Sequence, residues 1–221
     1  MPDYYREFNT SYSRQYEKQQ HNAKYFSKYL LSKGWTLNAI CGALGNWQVE
    51  ATLNTNDPQY ITNYPSLSQS SEKVFSEGGF GLAQWTPVRN KIGWYAQQKG
   101  LSFDRTDTNP PSSFEFQMEY HEFECTYGLK GDSSKKTWYA QKPAYYLPWE
   151  EYKKSTKTPE ELAEIYYWSY ERSSAWDSTT RPRYARTWFD YLSEIEPQPP
   201  TPPTKRKNNF IIVAYGSGLF K

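Results

Sequence analysis

Two short stretches hold residues whose types and spacing could move protons next to a ligand. The first, Leu37-Asn-Ala-Ile-Cys-Gly-Ala-Leu-Gly-Asn-Trp-Gln-Val-Glu50, ends an apolar, helically spaced segment in a single carboxyl. Partial burial disfavours the charged form of such a group, and the partial negative charge at a helix C-terminus disfavours it further. Both effects favour a glutamic acid that keeps its proton near neutral pH, as a general acid must. The second stretch, Glu77-Gly-Gly-Phe-Gly-Leu-Ala-Gln-Trp85, has glycines at 78, 79 and 81, which permit tight backbone and close ligand approach. It lacks the spacing and the basic residue of a phosphate loop. Glu77 abuts these glycines, while Asp57 and Glu72 lie between the two stretches. All three are candidates for a second carboxylate, with Glu77 first.

The elements that must position these groups read mostly as helices. Ala23, Phe26 and Leu30 recur at helical spacing from Asn22, and Gly34 is a stop signal. Thr36 can cap the next helix, whose stripe is Leu37, Ile40, Cys41 and Leu44. Gly42 and Gly45 in that helix let a neighbour approach closely, so it is expected to be central and buried. From Thr52 to Ser71 the composition is that of a loop or short hairpin. Further helices are expected over 88–98 and 114–127, the latter with Met118, His121 and Cys125 on one side. Between Gly131 and Trp149 a loop concentrates Trp138, Tyr139, Tyr145, Tyr146 and Trp149, aromatics that suit a sugar groove but are read rather as pins that hold the loop to the body. Thr158-Pro-Glu-Glu161 is a capping box with proline at the first helical position, and its helix runs to about Arg172. The last helix, 181–194, turns Tyr184, Trp188 and Leu192 inward, and Glu171 with Arg172 is a candidate buried pair fixing these helices to the one that ends in Glu50.

A helix ending in glutamate, a polar hairpin and then Gly-x-Gly-Leu-x-Gln resembles the core of the lysozyme superfamily, goose-type lysozymes and lytic transglycosylases in particular. The wording Gly34-Trp-Thr-Leu-Asn-Ala-Ile, Gly42-Ala-Leu-Gly-Asn, Gly78-Gly-Phe-Gly-Leu-Ala-Gln-Trp-Thr-Pro87 and Tyr170-Glu171-Arg172 resembles the phage tail lysozyme family over roughly residues 22–192. The resemblance implies an α+β, mostly α fold: a lysozyme-like helical domain with a small β-hairpin region at the cleft, followed by a proline-rich linker. It implies that Glu50 is the catalytic acid, cleaving the bond between N-acetylmuramic acid and N-acetylglucosamine in peptidoglycan. Gly81 and Gln84 would line the substrate, with Phe80 and Trp85 beside them. The charge at the sugar carbon would be met by a second carboxylate such as Glu77, by the substrate's own groups, or by the muramic hydroxyl, as in a lytic transglycosylase. Ala51 stands where the family usually has serine, and Ser173 where proline commonly follows the Glu-Arg pair. The expected setting is a virion tail tip that opens the host cell wall locally, with other tail proteins as partners and no metal or organic cofactor.

Composition narrows the alternatives. A net charge of +2 over 221 residues gives no electrostatic case for nucleic acid. No apolar run reaches membrane-spanning length, and the polar N-terminus does not read as a signal peptide. Two cysteines, Cys41 and Cys125, are too few for a disulfide framework. Pairing Cys41 with His121 as a peptidase is disfavoured, because Cys41 falls in an apolar stripe and no group orients His121. The expected organisation is a lead-in over 1–21, a catalytic domain over 22–195, a stiff linker over 196–204 and a tail or further module over 205–221. A weakly active wall-binding or structural tail module is the competing reading.

Overall fold

The computed structural model describes residues 4–5, 16–57, 74–103, 110–172 and 179–195. Glu72, the polar excursion over 58–73, the expected linker and the tail lie outside them. Helix α1 (Tyr16–Ser32) starts earlier than the apolar spacing suggests. Its buried Asn22 accepts from the Tyr5 N–H at 2.7 Å and donates to the carbonyls of Tyr5 and Leu53, so it fastens the lead-in and the chain after α2 to one point.

Helix α2 (Leu37–Ala51) is capped by Thr36, whose hydroxyl accepts from the Ala39 N–H at 3.2 Å. Its residues are buried on nearly every face, which makes it the central helix. Three further helices follow: α3 (Ile92–Gln98), α4 (Phe114–Tyr127) and α5 (Trp149–Lys153). The single helix expected over 88–98 is broken at Lys91, whose φ −124° and ψ −114° separate a 3-10 turn at Val88–Asn90 from α3.

Helices α6 (Pro159–Tyr166) and α7 (Thr180–Ile195) pack directly on α2. The capping box forms as the sequence indicates: Glu161 accepts from the Thr158 N–H at 2.9 Å, and Thr158 accepts from the Glu161 N–H at 3.3 Å. The close approach rests on two glycines. A β-carbon at Gly42 would meet Leu162 at 2.7 Å, and one at Gly45 would meet the Arg181 carbonyl oxygen at 2.5 Å. Beyond α6 the coil widens into a π segment, Tyr167–Glu171, and Arg172 ends it at φ 50°. Such widened turns often sit at functional sites.

Most of the stretch read as a loop or short hairpin, 52–71, lies outside the described residues. Phe80 makes one isolated bridge, and residues 81–84 are turn. Positive φ at Gly81 (76°) and Gln84 (45°) bends this segment back, so that the Trp85 N–H donates to the Phe80 carbonyl at 3.0 Å. The aromatic loop divides into two kinds of residue. Trp138 and Trp149 are buried pins, with indole N–H groups bonded to the Leu147 carbonyl and to Glu122. Tyr139 and Tyr146 are exposed and are not buried pins. Among the described residues no helix is long and apolar enough to cross a membrane.

Candidate functional site

Glu50 lies in the last turn of α2, where Thr52 in the left-handed region (φ 51°) returns its N–H to Gln48 and terminates the helix. The Glu50 side chain is 21% exposed, so the carboxyl opens to solvent at one edge. From the first turn of α7, Arg181 places Nη2 2.5 Å from Glu50 Oε1. Its side chain is only 6% exposed. A second arm, Nη1, donates to the carbonyl and to Oδ1 of Asn46 at 3.3 and 3.2 Å. Asn46 is itself held, donating to the carbonyls of Gly42 and Ala163 at 3.0 Å. The guanidinium also lies over the Tyr167 ring, 5.1 Å from its centroid. Besides burial and the helix end, Glu50 thus has a cation in contact with its carboxyl.

The second carboxyl near Glu50 belongs to Glu171, at the end of the π segment. Burial and the charge of Glu50 hold its pKa well above the usual carboxylate range, while Arg181, Lys91 and Arg172 offset part of that rise. Its Oε1 is sequestered without a hydrogen-bond partner. The expected Glu171–Arg172 pair is replaced by a division of labour. Arg172 ties the loop to the π segment by donating to the carbonyls of Thr137 and Ser169, and it lies over the exposed Tyr139 ring at 4.0 Å, while the charge of Glu50 acts on Glu171. Glu77 is exposed at the end of the helical turn 74–77.

The glycine-rich segment serves the scaffold rather than an open surface. A β-carbon at Gly81 would lie 2.7 Å from Gln117 Oε1, so the close approach this glycine permits is that of a protein side chain. Gln117 accepts from the Leu82 N–H at 3.0 Å and donates to the carbonyls of Thr55 and Pro111, joining three segments. Gln84 spends its amide donor on the carbonyls of Asp57 and Gly81, both at 3.0 Å, instead of presenting it to a sugar. Phe80 is fully buried edge-on to Phe103. Trp85 is 1% exposed and donates its indole N–H to Glu124 and to the Tyr170 hydroxyl, each at 2.6 Å. Phe80 and Trp85 therefore offer no face to substrate in this arrangement, because core packing has taken both. Glu124, which also accepts from Tyr170, is fully buried, and burial raises its pKa.

The Cys41–His121 pairing is not made. Cys41 is buried among apolar groups, and burial pushes its thiol pKa up. The ring nitrogens of His121 face the Tyr166 hydroxyl at 2.6 Å and Cys125 Sγ at 3.5 Å, and the Trp47 indole donates to the same Tyr166 hydroxyl at 2.9 Å. Burial lowers the His121 pKa to about 3, so the ring is neutral and structural. Among the described residues no cluster of three or more His, Cys, Asp or Glu could hold a metal ion.

Sequence reasoning missed Arg181 and Asn46. A signal existed: Arg181 stands at the head of the inward stripe Ala185, Trp188 and Leu192, with spacings of four, three and four. A cation at the start of a buried stripe requires a buried partner. Beside the end of α2 a cavity of about 500 Å³ is lined by amide, hydroxyl and aromatic groups, among them Gln48, Thr52, Thr180, Tyr184 and Trp188, and neither Glu50 nor Arg181 lines it.

Comparison with known proteins identifies the family of this chain. Residues 21–192 match the family described as phage tail lysozyme. Morphogenesis protein 1 of Bacillus phage B103 is 34% identical over 172 residues, covering 78% of this chain and 39% of that protein. The chain thus spans about two-fifths of that relative's length. The match takes in every described helix from α2 to α6 and most of α1 and α7, including Glu50, Glu171 and Arg181, and the chain belongs to the phage tail lysozyme family.

Proposed function

We propose that this domain cleaves the glycan backbone of bacterial peptidoglycan between N-acetylmuramic acid and N-acetylglucosamine, with Glu50 as the general acid, and opens the cell wall locally from a phage tail. The observation that carries the reading is the partly exposed Glu50 carboxyl backed by the buried Arg181 guanidinium at 2.5 Å. When Glu50 gives its proton to the leaving oxygen, the carboxylate it becomes already has a fixed counter-ion. Little reorganisation is then needed at the moment charge develops. Other tail proteins are the proposed partners, and the chemistry requires no cofactor.

The test is digestion of purified peptidoglycan by wild type and by Glu50→Gln, with mass spectrometry of the released fragments. Wild type should release products ending in reducing muramic acid, and the variant should be slower by about 10²–10⁴-fold, the usual share of a general acid. Anhydro-muramic products would assign lytic transglycosylase chemistry to the same acid. A second reading, a wall-binding or structural tail module, draws on the morphogenesis name of the Bacillus phage relative. It takes over if wild type and variant are equally inert on walls from several hosts.

A further inference from the structure

We infer that the aromatic loop carries a second glycan-holding site at the end of α4, where Tyr127 and Tyr146 offer their rings to a sugar residue of the wall polymer and Lys136 meets one of its acidic oxygens. The inference rests on peptidoglycan as the substrate of the proposed function and adds where the strand is held besides Glu50.

Exposure singles out the place. Among the described residues few large apolar side chains are exposed, and Tyr127, Tyr139 and Tyr146 are three of them. Tyr127 and Tyr146, at 57% and 63%, line a cavity of about 240 Å³ together with Ser133, Lys136 and the buried Trp138 and Trp149. Neither Glu50 nor Arg181 lines it. Apolar residues exposed singly need no explanation, whereas clustered ones mark contact surfaces. Tyr139 is of another kind, because the Arg172 guanidinium already lies over its ring. The Tyr146 side chain has no ring, cation or hydrogen bond on it among the described residues.

The charges of the loop narrow the ligand. Lys135 is paired with Asp132 at 3.0 Å, Lys142 lies over the Trp168 ring at 3.5 Å, and Lys130 donates to Asn90 at 3.3 Å. Lys136, also exposed, has no ion pair, hydrogen bond or ring contact among the described residues. No described carboxylate lines the cavity, so its charge is positive. Flat rings with polar tips, a serine hydroxyl and one cation fit an acidic saccharide. The C–H face of a sugar lies on a ring, its hydroxyls meet the phenol and serine oxygens, and a carboxylate of the same polymer meets the lysine. The cavity falls below the about 300–1,000 Å³ that encloses a whole small ligand, so it suits one residue of a strand that continues beyond it.

The rings are presented by a loop that is already fixed. The Leu129 N–H donates to the Lys135 carbonyl at 2.9 Å, and left-handed Gly128 (φ 83°) admits the Asp132 carbonyl where a β-carbon would collide with it. The Trp138 indole holds the carbonyl of Leu147, next to Tyr146, and the Tyr146 N–H donates to the Pro143 carbonyl at 3.1 Å. A tyrosine on fixed backbone has only two side-chain torsions left to lose, so little ordering opposes binding.

The experiment is sedimentation binding of the full chain to purified peptidoglycan in a Glu50→Gln background, which keeps the wall uncut, with Tyr127→Ala, Tyr146→Ala and Lys136→Ala added singly. Loss of either tyrosine should raise the dissociation constant by about three- to ten-fold, the scale of one aromatic contact, and Tyr146→Phe should restore most of it. Lys136→Ala should weaken binding by about two- to five-fold and flatten its salt dependence. The ring NMR signals of Tyr127 and Tyr146 in the unsubstituted chain should shift as soluble glycan fragments are titrated in. Ring signals that stay still, or binding unchanged in all three alanine variants, overturn the site. The ring signals decide even if a variant fails to fold. Glycan release by wild type is read separately. Release without tyrosine-dependent binding overturns the second site alone, whereas tyrosine-dependent binding by a protein inert on glycan upholds the site and overturns the cleavage.

Discussion

Gly45 lies against the first turn of α7 so closely that a β-carbon there would sit 2.5 Å from the carbonyl oxygen of Arg181 and 2.9 Å from the β-carbon of Ala185. One missing side chain thus sets the distance between the helix that carries the acid and the helix that carries its counter-ion. Gly45→Ala should cost about 1–3 kcal/mol of stability, as overpacking does. It should also slow glycan release by drawing Arg181 away from Glu50. Urea unfolding together with product release checks this, and a variant unchanged in both would mean the helices have slack.

Arg181→Lys keeps the charge but loses the planar fork that grips Glu50 and Asn46 at once. The turnover rate should fall more than the Michaelis constant changes, because the interaction serves the acid rather than the bound sugar. Steady-state kinetics on soluble glycan fragments measure the split.

Acid should destabilise the fold partly through His121. Its pKa is about 3 when folded and near 6.5 when unfolded, so between those values the unfolded chain binds more protons. The neutral-pH stability is therefore lost as pH falls from about 6.5 to about 3, at up to about 1.4 kcal/mol per pH unit. Glu171 and Glu124 act in the opposite sense. Their raised pKa values make the native state hold extra protons above the ordinary carboxylate range, so stability drops as pH climbs through that window. Urea midpoints from pH 4 to pH 8 should describe a maximum, flattened on the acid side in His121→Gln and on the basic side in Glu171→Gln.

Gln84→Glu tests whether that residue serves the turn or the substrate. The substitution replaces the amide that donates to the Asp57 and Gly81 carbonyls by a group that repels them. It should cost about 1–3 kcal/mol of stability. A raised Michaelis constant with stability unchanged would return Gln84 to the sugar.

Cys41→Ser should retain glycan cleavage, because the thiol is buried away from Glu50 and its pKa is raised, not lowered. Burying a hydroxyl in place of sulfur should still lower stability by about 1–3 kcal/mol. Product release alongside thermal unfolding separates the two effects.

Local signals were legible in the sequence, and signals about what faces what were not. The Thr36 cap, the Thr158–Glu161 box and the glycine pair of α2 are each written within a few residues, and the structure carries all three. Glu50 at the end of the buried helix was legible in the same way. The glycines at 78–81 announce tight backbone but not what approaches it, and Gln117, 35 residues beyond Leu82, was invisible as the neighbour. Phe80 and Trp85 read as sugar contacts because aromatics suit either role, and only tertiary packing decides between them. Glu171 and Arg172 read as a pair because they are adjacent, yet adjacent residues on a helical coil point in different directions. The π widening then sends them to separate tasks.

Arg181 follows Glu50 by 131 residues. At roughly 5–20 residues per second, a ribosome needs on the order of ten seconds to add that stretch. Throughout that interval the nascent chain holds the acid without its counter-ion, and α2 has no α7 to pack against. Under the proposed function, competence to cut the wall is therefore a late event in biogenesis. It arrives with the docking of α7 and not with the making of the helix that bears Glu50.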